Sequence, residues 1–345
     1  GGSKMKKNLL IIFWGLCLLF SLSSCKNKEV SIEHTSTGLA KVSIQIDGAA
    51  TPYYAPLYLA KEKGWFEEEG LDVEFYYASA SEIVKNVAAN NVEFGFPNSD
   101  PVVIGRSNGV PVKIIHTTYQ EGLGSIIYKK NSTIRKPEDL QGKTIGITSY
   151  GSPNFIQLQV ILEQVGLSLD DVSIKIIGTG AIVNSLVSDQ VDAISFSMLR
   201  AYDLQEQGLT VGEFRSENYM PTQGNVVITS DKFLKKNLDL CQKFVKALNR
   251  SLAFLVDGHL STGIETAIAD YAPSAKGSEK KIKKVMENEF VPKLWQSKNT
   301  FSYGFGYSDV SRYNNYIDLL CEYNLISDKY DAKQLVVNLD EGEKK

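Results

Sequence analysis

The chain has 345 residues, of which 43% are hydrophobic and 22% charged, a balance typical of folded globular proteins and not of disordered, collagen-like or polytopic membrane proteins. One hydrophobic core rarely serves a chain of this length, so we expect two α/β lobes. The formal net charge of -3 at pH 7 offers no general attraction to a phosphate backbone, which argues against nucleic acid as a partner.

The amino end has the pattern of an export signal. Residues 1–4 are interpreted as a cloning remnant outside the native chain. Lys6 and Lys7 are followed by an apolar run at 9–22, which is too short to span a bilayer as a helix. We therefore expect residues 5–24 to be a signal peptide.

The apolar run closes with Leu-Ser-Ser-Cys at 22–25, which resembles the lipobox of bacterial lipoproteins. The resemblance implies cleavage before Cys25 and a diacylglycerol on its sulfur, with residues 25–40 as a polar tether. An ordinary signal peptide with a chance cysteine is the alternative. Because the chain is slightly acidic, anchoring at an anionic membrane would rely on the lipid and not on charge.

Two cysteines remain in the folded part of the chain. Cys241 and Cys321 both stand among apolar residues in helical patterns, which favours two buried free thiols. A disulfide between them stays open as an alternative, because an exported compartment permits one.

Strand and helix patterns alternate from Lys41 onward. Alternating apolar residues predict a strand at 42–46, and the following helix has Pro56 in its first turn and Gly64 at its end. Asp100 and Pro101 are expected to cap and begin a later helix. The other elements predicted in this part are strands at 71–75, 92–96 and 112–117 and a helix around 83–87.

The alternation continues to about residue 228 and then gives way to helices. Parallel sheets with helices on both faces are the structure that such alternation implies. The predicted strands lie at 126–129, 143–148, 172–177, 191–196 and 226–228, and the predicted helices at 155–165, 181–188, 234–256, 262–271, 279–294 and 310–325.

Four segments in order resemble one family. They are the helix-and-strand segment at 54–73, the Lys-Pro-Glu-Asp-Leu segment at 136–146, Asp-Gln-Val-Asp-Ala at 189–193 and the carboxy-terminal segment at 301–326. The chain resembles the solute-binding proteins of ABC importers that take up thiamine pyrimidine precursors, riboflavin, alkanesulfonates and related compounds. Members that bind pyrimidines have a Trp-x-Pro-Asn stretch after the first strand, whereas this chain has Asp-Gly-Ala-Ala-Thr-Pro-Tyr at 47–53.

The resemblance implies a two-lobed α/β fold of the type II periplasmic-binding-protein class. Its two mostly parallel sheets would have helices on both faces and be hinged by two crossing strands. Residues 41–123 and the helical part at 229–345 would form lobe one, and 124–228 would form lobe two with the hinge strands. The implied partners are a small-molecule ligand, an ABC permease with its ATPase, and the membrane through the lipid anchor; we expect a monomer.

Ligands of open α/β sheets bind beyond the carboxyl ends of the strands, where helix starts point unpaired N–H groups into the cleft. Three loops hold this position, at 47–54, 97–100 and 149–154. We expect them, with residues bordering the hinge, to supply the binding side chains. The candidates are Tyr53, Tyr54, Asn98, Ser99, Tyr119, Tyr150, Gly151, Ser152, Asn154, Ser197 and Asn225.

Each group of candidates has an expected role. Either Tyr53 or Tyr54 would stack on a flat heteroaromatic ligand, while the other packs in the core. Asn98 or Ser99 would hydrogen-bond a polar ring edge, since Asp100 is expected only to cap its helix. The loop at 149–154 would receive a carbonyl or an anion on helix-start donors. For every loop, a plain turn is the alternative.

Other functions remain as alternatives. A sulfonate or nitrate ligand is disfavoured because such anions need several donors, while the candidate loops are rich in tyrosine and amides. A pyrimidine-synthase-type enzyme of the same fold uses clustered cysteines, which this chain lacks. We expect neither catalysis nor a cofactor or metal, since the three histidines show no zinc-site spacing. An adhesin or sensor domain on the same fold is the last alternative.

Overall fold

The computed structural model describes residues 31–339. The predicted signal peptide, Cys25 and the start of the tether lie outside the described residues. Within the described range, no helix combines the length and the apolar character that crossing a membrane requires.

Ten strands in the described part of the chain form two five-stranded sheets. In chain order they are β1 (Ala40–Asp47), β2 (Leu71–Ala78), β3 (Phe94–Phe96), β4 (Val112–His116), β5 (Gly124–Lys129), β6 (Thr144–Ile147), β7 (Ser173–Ile176), β8 (Ala193–Ser197), β9 (Val211–Arg215) and β10 (Val227–Ser230).

Helices cover both sheets. They are α1 (Ala55–Glu62), α2 (Trp65–Glu68), α3 (Ala80–Ala88), α4 (Ser99–Ser107), α5 (Pro153–Gln164), α6 (Ile182–Val187), α7 (Leu199–Glu206), α8 (Asp231–Lys236), α9 (Leu238–Phe254), α10 (Leu260–Asp270), α11 (Glu279–Val285), α12 (Lys298–Tyr303) and α13 (Val310–Glu322). Two π-helical segments, Leu255–His259 and Met286–Leu294, follow α9 and α11.

The strand order is β2-β1-β3-β10-β4 in the first sheet and β7-β6-β8-β5-β9 in the second. In the first sheet β10 runs antiparallel to both of its neighbours, and in the second β5 does so. The strands β5 and β10 are those that first enter each sheet after the chain has left the other. They run antiparallel because no crossover helix reverses the chain before them. The predicted fold of two mostly parallel sheets in two lobes is confirmed.

We call the first sheet with α1–α4 and α8–α13 lobe one, and the second sheet with α5–α7 lobe two. Alternate residues of β1, such as Ile44 and Ile46, are fully buried in an apolar cluster that also contains residues of α1, α9 and α10. A second apolar cluster includes Ile83 of lobe one and Leu158 of lobe two. The lobes therefore share buried apolar surface where the chain crosses between them.

Local sequence accounts for the helix ends. Pro56 lies in the first turn of α1, where its missing N–H costs nothing, and Gly64 follows the helix with φ of 72°. The predicted helix at 234–256 divides into α8 and α9 at Asn237. The predictions missed α7, which is rich in polar residues, and the edge strand β9, in which Val211 and Phe214 are buried.

The expected helix cap at Asp100 is wrong. Asn98 is the residue that caps α4, and its side-chain oxygen accepts a hydrogen bond from the Asp100 N–H at 3.4 Å. Asp100 is the second residue of α4 and is completely buried. Local spacing alone could not separate these positions, because Asn and Asp are both favoured at helix starts.

The two cysteines of the described chain are free. Cys241 is buried in the lobe-one core, as expected, and burial raises the pKa of its thiol to about 12. Cys321 is only partly buried, next to the buried Leu320 on α13, so the expectation of a buried thiol is wrong for this residue.

Candidate ligand-binding cleft

The carboxyl ends of the parallel strands of both lobes meet at the boundary between the lobes. One close approach and one hydrogen bond mark this boundary. A Cβ atom placed on Gly151, in the loop after β6, would lie 3.8 Å from the Ser81 Oγ at the start of α3. The Gln157 Nε2 of α5 donates to the Asp100 Oδ2 of α4 at 3.0 Å. The lobes therefore touch each other at the candidate cleft.

Tyr53 and Tyr54 follow β1 in a short 3-10 turn at the lobe-one side of the boundary. The Tyr53 ring stacks on Phe290 with centroids 5.0 Å apart and planes 4° from parallel. The Tyr54 hydroxyl donates to the Asp47 carbonyl at 2.7 Å, and its ring packs edge-on against Phe96. Tyr54 is thus tied into lobe one, whereas Tyr53 is half-buried and nearer to lobe two.

The electrostatic surroundings of Tyr53 support its position at the boundary. Burial raises the pKa of its phenol, and the carboxylate of Asp203 in α7 of lobe two raises it further. Arg200 of the same helix acts in the opposite direction. A ring with charged neighbours on the other lobe is well placed to contact a ligand held between the lobes.

Tyr119 supports this aromatic group from below. It is buried, its hydroxyl donates to the Tyr53 carbonyl at 3.0 Å, and its ring meets Phe96 and Phe290 edge-on. Its side chain therefore positions Tyr53, and its hydroxyl hydrogen is already used.

Asn98, Ser99 and Asn225 lie together where the chain returns to lobe one. Asn98 and Asn225 form an antiparallel bridge, and the Asn225 Nδ2 donates to the Phe96 carbonyl at 3.2 Å. The Ser99 hydroxyl donates to the Gln223 carbonyl at 2.7 Å. All three are buried, and these contacts join the start of α4 to the returning chain.

In the loop after β6, some residues are exposed and others are already hydrogen-bonded within lobe two. Tyr150 is 59% exposed, with the edge of its ring against Phe155. Ser152 caps α5, since its Oγ accepts from the Phe155 N–H at 3.2 Å. The Asn154 carbonyl accepts from the Ser195 hydroxyl at 2.8 Å. Tyr150 and Gly151 are therefore among the exposed residues of this loop.

Ser197 ends β8 on the same edge of the second sheet, directly opposite Gly124 in the antiparallel pair. Its Oγ accepts from the Leu199 N–H at 3.3 Å and helps to begin α7. Ser197 therefore lies at the cleft edge, but its hydroxyl oxygen already accepts a hydrogen bond from the first turn of α7.

Asp100 is a buried carboxyl group at the centre of the boundary. It accepts hydrogen bonds from the Tyr316 and Thr222 hydroxyls on Oδ1 and from the Gln157 amide on Oδ2. Burial raises its pKa to about 6, although these three donors oppose the shift. The three side chains that donate hydrogen bonds to Asp100 are neutral. The ionised carboxylate is therefore stabilised by hydrogen bonds from neutral groups and not by an ion pair.

Asp47 is a cleft-edge residue that sequence reasoning placed in a candidate loop but did not choose. It ends β1, and burial raises the pKa of its carboxyl to about 6 against the opposing N–H groups of Ala80 and Gly48. A carboxylate directly at the end of a parallel strand was the signal available in the sequence.

Ion pairs also cross between the lobes beside Tyr53. The Arg215 guanidinium of β9 contacts Glu289 of lobe one at 2.9 Å, and the Tyr202 hydroxyl donates to the same carboxylate at 2.6 Å. Burial alone would raise the pKa of Glu289, but the interactions with Tyr202 and Arg215 have the larger effect, so the pKa lies below its usual value. Lys281 of α11 pairs with Asp203 of α7 at 3.0 Å.

Two further features of the described residues bear on the site: their potential metal ligands and the titratable imidazole of His116. Across residues 31–339, no group of three or more His, Cys, Asp or Glu side chains is arranged to hold a metal ion. His116 is buried between Thr118 and Asn249, each at 2.7 Å, and burial lowers its pKa to about 4. It is therefore a neutral, hydrogen-bonded core residue.

The sequence profile of the NMT1/THI5 like family matches residues 51–258. The chain belongs to this family. Riboflavin-binding protein RibY of Chloroflexus aurantiacus is 26% identical over 306 residues, which cover 87% of this chain and 86% of RibY. THI11 of Saccharomyces cerevisiae, a 4-amino-5-hydroxymethyl-2-methylpyrimidine phosphate synthase, is 24% identical over 63% of this chain and 67% of its own.

Solved structures agree with the fold. The periplasmic aliphatic sulphonate binding protein SsuA of Escherichia coli superposes with a TM-score of 0.64 at 15% identity, covering 85% of this chain and 96% of SsuA. A Candida albicans protein with the generic periplasmic binding protein fold superposes with a TM-score of 0.65 at 15% identity, covering 87% of this chain and 97% of its own. This NMT1/THI5-like chain thus has the periplasmic-binding-protein fold.

Proposed function

We propose that this protein is the solute-binding component of an ABC importer, which captures a small riboflavin-like heteroaromatic ligand between its lobes and delivers it to a permease. The observation that carries the proposal is the arrangement of the cleft. Strand ends of both lobes meet there: the half-buried Tyr53 ring lies near the charged residues Arg200 and Asp203 of α7, and the Gly151 loop of lobe two lies near Ser81 of α3. The relative RibY, which is named for riboflavin binding and covers most of this chain, supports the ligand class.

The charges at the cleft favour a neutral ring over an anion. Arg215 is paired with Glu289, and Arg200 is paired with Asp203 at 3.0 Å. A sulfonate or nitrate would have to compete with these carboxylates for the guanidinium groups. A planar ring stacked on Tyr53 needs no such competition, and it gains about 0.5 to 1.5 kcal/mol beyond the burial of its area.

Clamp closure is the proposed mechanism. A ligand that contacts both lobes stabilises only the closed arrangement, because the open one offers it a single face. The interlobe pairs of Arg215 with Glu289 and of Lys281 with Asp203 would then help to hold the closed form, which a permease can distinguish from the open one.

The proposed location follows from the amino end. A lipid on Cys25 would hold the protein outside the cytoplasm, where a monomeric receptor meets both its ligand and the permease with its ATPase. Periplasmic relatives of the same fold support an extracytoplasmic site of action.

Synthesis of a pyrimidine phosphate is the competing function, since family relatives such as THI11 have that activity. An aminopyrimidine is also the competing ligand. We favour a binding protein because RibY matches a larger part of both chains than THI11 does.

Riboflavin titration tests the proposal directly. Flavin fluorescence should be quenched with one equivalent bound, while 4-amino-5-hydroxymethyl-2-methylpyrimidine and an alkanesulfonate should not raise the melting temperature at the same concentration. Mass spectrometry of molecules released from the purified protein identifies a ligand carried from the cell. Binding of the sulfonate but not of riboflavin would refute the proposed ligand class, and conversion of a bound compound would refute the non-catalytic role.

A further inference from the structure

The Gln157 side chain has one satisfied and one unsatisfied end. This residue of α5 is 2% exposed, and its Nε2 donates to Asp100 across the lobe boundary at 3.0 Å. Its Oε1 is buried and has no hydrogen-bond partner within residues 31–339. A buried amide oxygen without a donor is destabilising and rare in native proteins, so its presence at a candidate cleft points to a donor supplied by a ligand.

The unsatisfied oxygen lies over Gly124, the first residue of β5. A Cβ atom on Gly124 would be 1.5 Å from the Gln157 Oε1 and 3.3 Å from the Asn154 Oδ1. Glycine is therefore the residue that leaves room for this amide. Two side-chain acceptors, three positions apart on the first turn of α5, converge on one point at the cleft edge of lobe two.

Asp100 determines which way the Gln157 amide points. An ionised carboxylate can only accept hydrogen bonds, so it must face the NH₂ end of the amide. Its other oxygen is occupied by the Tyr316 and Thr222 hydroxyls. The amide oxygen is consequently turned away from Asp100 and toward Gly124.

We propose that the Gln157 Oε1, with Asn154 beside it, is a ligand-recognition site that accepts a hydrogen bond from a ring N–H group of the bound heterocycle. This inference rests on the proposed function and specifies the ligand further, as a planar heterocycle with an imide or similar N–H donor. Asp100 acts as a positioning residue, because it orients the amide without contacting the ligand. The orphaned oxygen acquires its donor when the ligand enters as the lobes separate and close again.

The test compares riboflavin, which has an imide N–H at ring position 3, with 3-methylriboflavin, which lacks it. Gln157→Met removes the amide while keeping the length of the side chain. Gln164→Met is the matched control, because Gln164 ends the same helix and bonds the Tyr219 carbonyl away from the cleft. Affinities come from flavin fluorescence titration, and melting curves check that each variant is folded.

The parent and Gln164→Met should prefer riboflavin about tenfold over its methyl derivative, the effect of one hydrogen bond and the acceptor left unpaired without it. In Gln157→Met, riboflavin should bind about tenfold more weakly and the preference should fall to about threefold or less. Gly124→Ala, which displaces the amide, should reproduce this loss and provides a second variant if Gln157→Met does not fold.

The outcomes separate this inference from the function on which it rests. A parent protein that does not bind riboflavin refutes the proposed function, and the inference falls with it. A parent that binds both flavins equally, or a folded Gln157→Met or Gly124→Ala variant that keeps the tenfold preference, overturns the inference alone.

Discussion

Single aromatic residues at the lobe boundary have separate roles in this fold. Tyr53 stacks on Phe290 and stays half-buried, whereas the Tyr54 hydroxyl is tied to the Asp47 carbonyl. The sequence expectation that one tyrosine would stack on ligand and the other pack in the core is therefore assigned here to definite residues. We propose Tyr53 as the tyrosine that stacks on the ligand and Tyr54 as the one that packs in lobe one.

Tyr53→Ala should weaken riboflavin binding about 10- to 100-fold, because it removes a stacking surface and part of the apolar area buried with the ligand. Tyr53→Phe keeps the ring and should bind like the parent. Tyr54→Ala should instead lower the melting temperature through the lost contacts with Asp47 and Phe96. Calorimetric titration and melting curves measure both effects; unchanged binding by a folded Tyr53→Ala would remove this tyrosine from the site.

Asp100 should make stability depend on pH in an unusual direction. Its pKa is about 6 in the folded protein and 3.8 ordinarily, so between these values the folded state holds a proton that the unfolded chain has lost. The contribution of this carboxyl to stability is therefore greatest at low pH and declines as the pH rises to about 6.

Asp100→Asn removes this titration. Relative to the variant, the parent should lose about 2 kcal/mol of unfolding free energy between pH 4 and pH 7. Urea unfolding at several pH values measures the difference, and taking the variant as reference removes the contribution of Asp47, whose pKa is also raised to about 6. A difference that does not change with pH would show that Asp100 has an ordinary pKa when folded.

At the scale of elements, the loop between β6 and α5 is one of the parts of lobe two that approach lobe one. The space beside Gly151 admits a Cβ, which would lie 3.8 Å from Ser81, an ordinary van der Waals contact. Larger side chains at this position would extend toward α3.

Gly151→Ala should therefore bind riboflavin like the parent, while Gly151→Val should weaken binding about tenfold by keeping the lobes apart. Both variants should melt within a few degrees of the parent, since Gly151 does not have a positive φ. Equal affinities for the two variants would show that the lobes need not approach at this loop for binding.

At the scale of the whole molecule, the chain crosses between the lobes twice, and the crossing segments pair through Tyr119 with Gly224 and Asn225. Ion pairs also cross the boundary between the lobes. We expect ligand-free protein to populate open arrangements, since no ligand then offsets the cost of holding the lobes together. The pair of Lys281 with Asp203 contributes little, because both side chains are partly exposed to solvent.

Small-angle scattering should therefore show the radius of gyration decrease when riboflavin saturates the protein. Tyr53→Ala at the same flavin concentration, below its weakened dissociation constant, serves as the control and should not contract. An identical profile with and without bound riboflavin would contradict hinge closure.

Cys25→Ala tests the attachment of the whole molecule to the membrane. In cells, the parent should be labelled by a fatty-acid analogue and found with the membrane, while the variant should lose the label and be released or remain as precursor. A variant that is processed and membrane-bound like the parent would show that the resemblance at 22–25 is not a functional lipobox.

Sequence by itself determined the class of fold and its main elements. Alternating patterns such as Val42, Ile44 and Ile46 reflect burial on one face, which depends on near neighbours in the chain. Motifs in order along the chain likewise identified the family, which the profile match at 51–258 confirms. The edge strand β9 and the polar helix α7 were missed because few of their residues are buried.

Tertiary structure decided which candidates are free to act. Ser99, Asn225 and Tyr119 lie at the expected edge, but their donors are used by carbonyls distant in sequence. The orientation of the Gln157 amide depends on Asp100 and Gly124, which come from other parts of the chain. Hydrogen-bond partners of this kind are set by how the lobes pack, so no local pattern in the sequence encodes them.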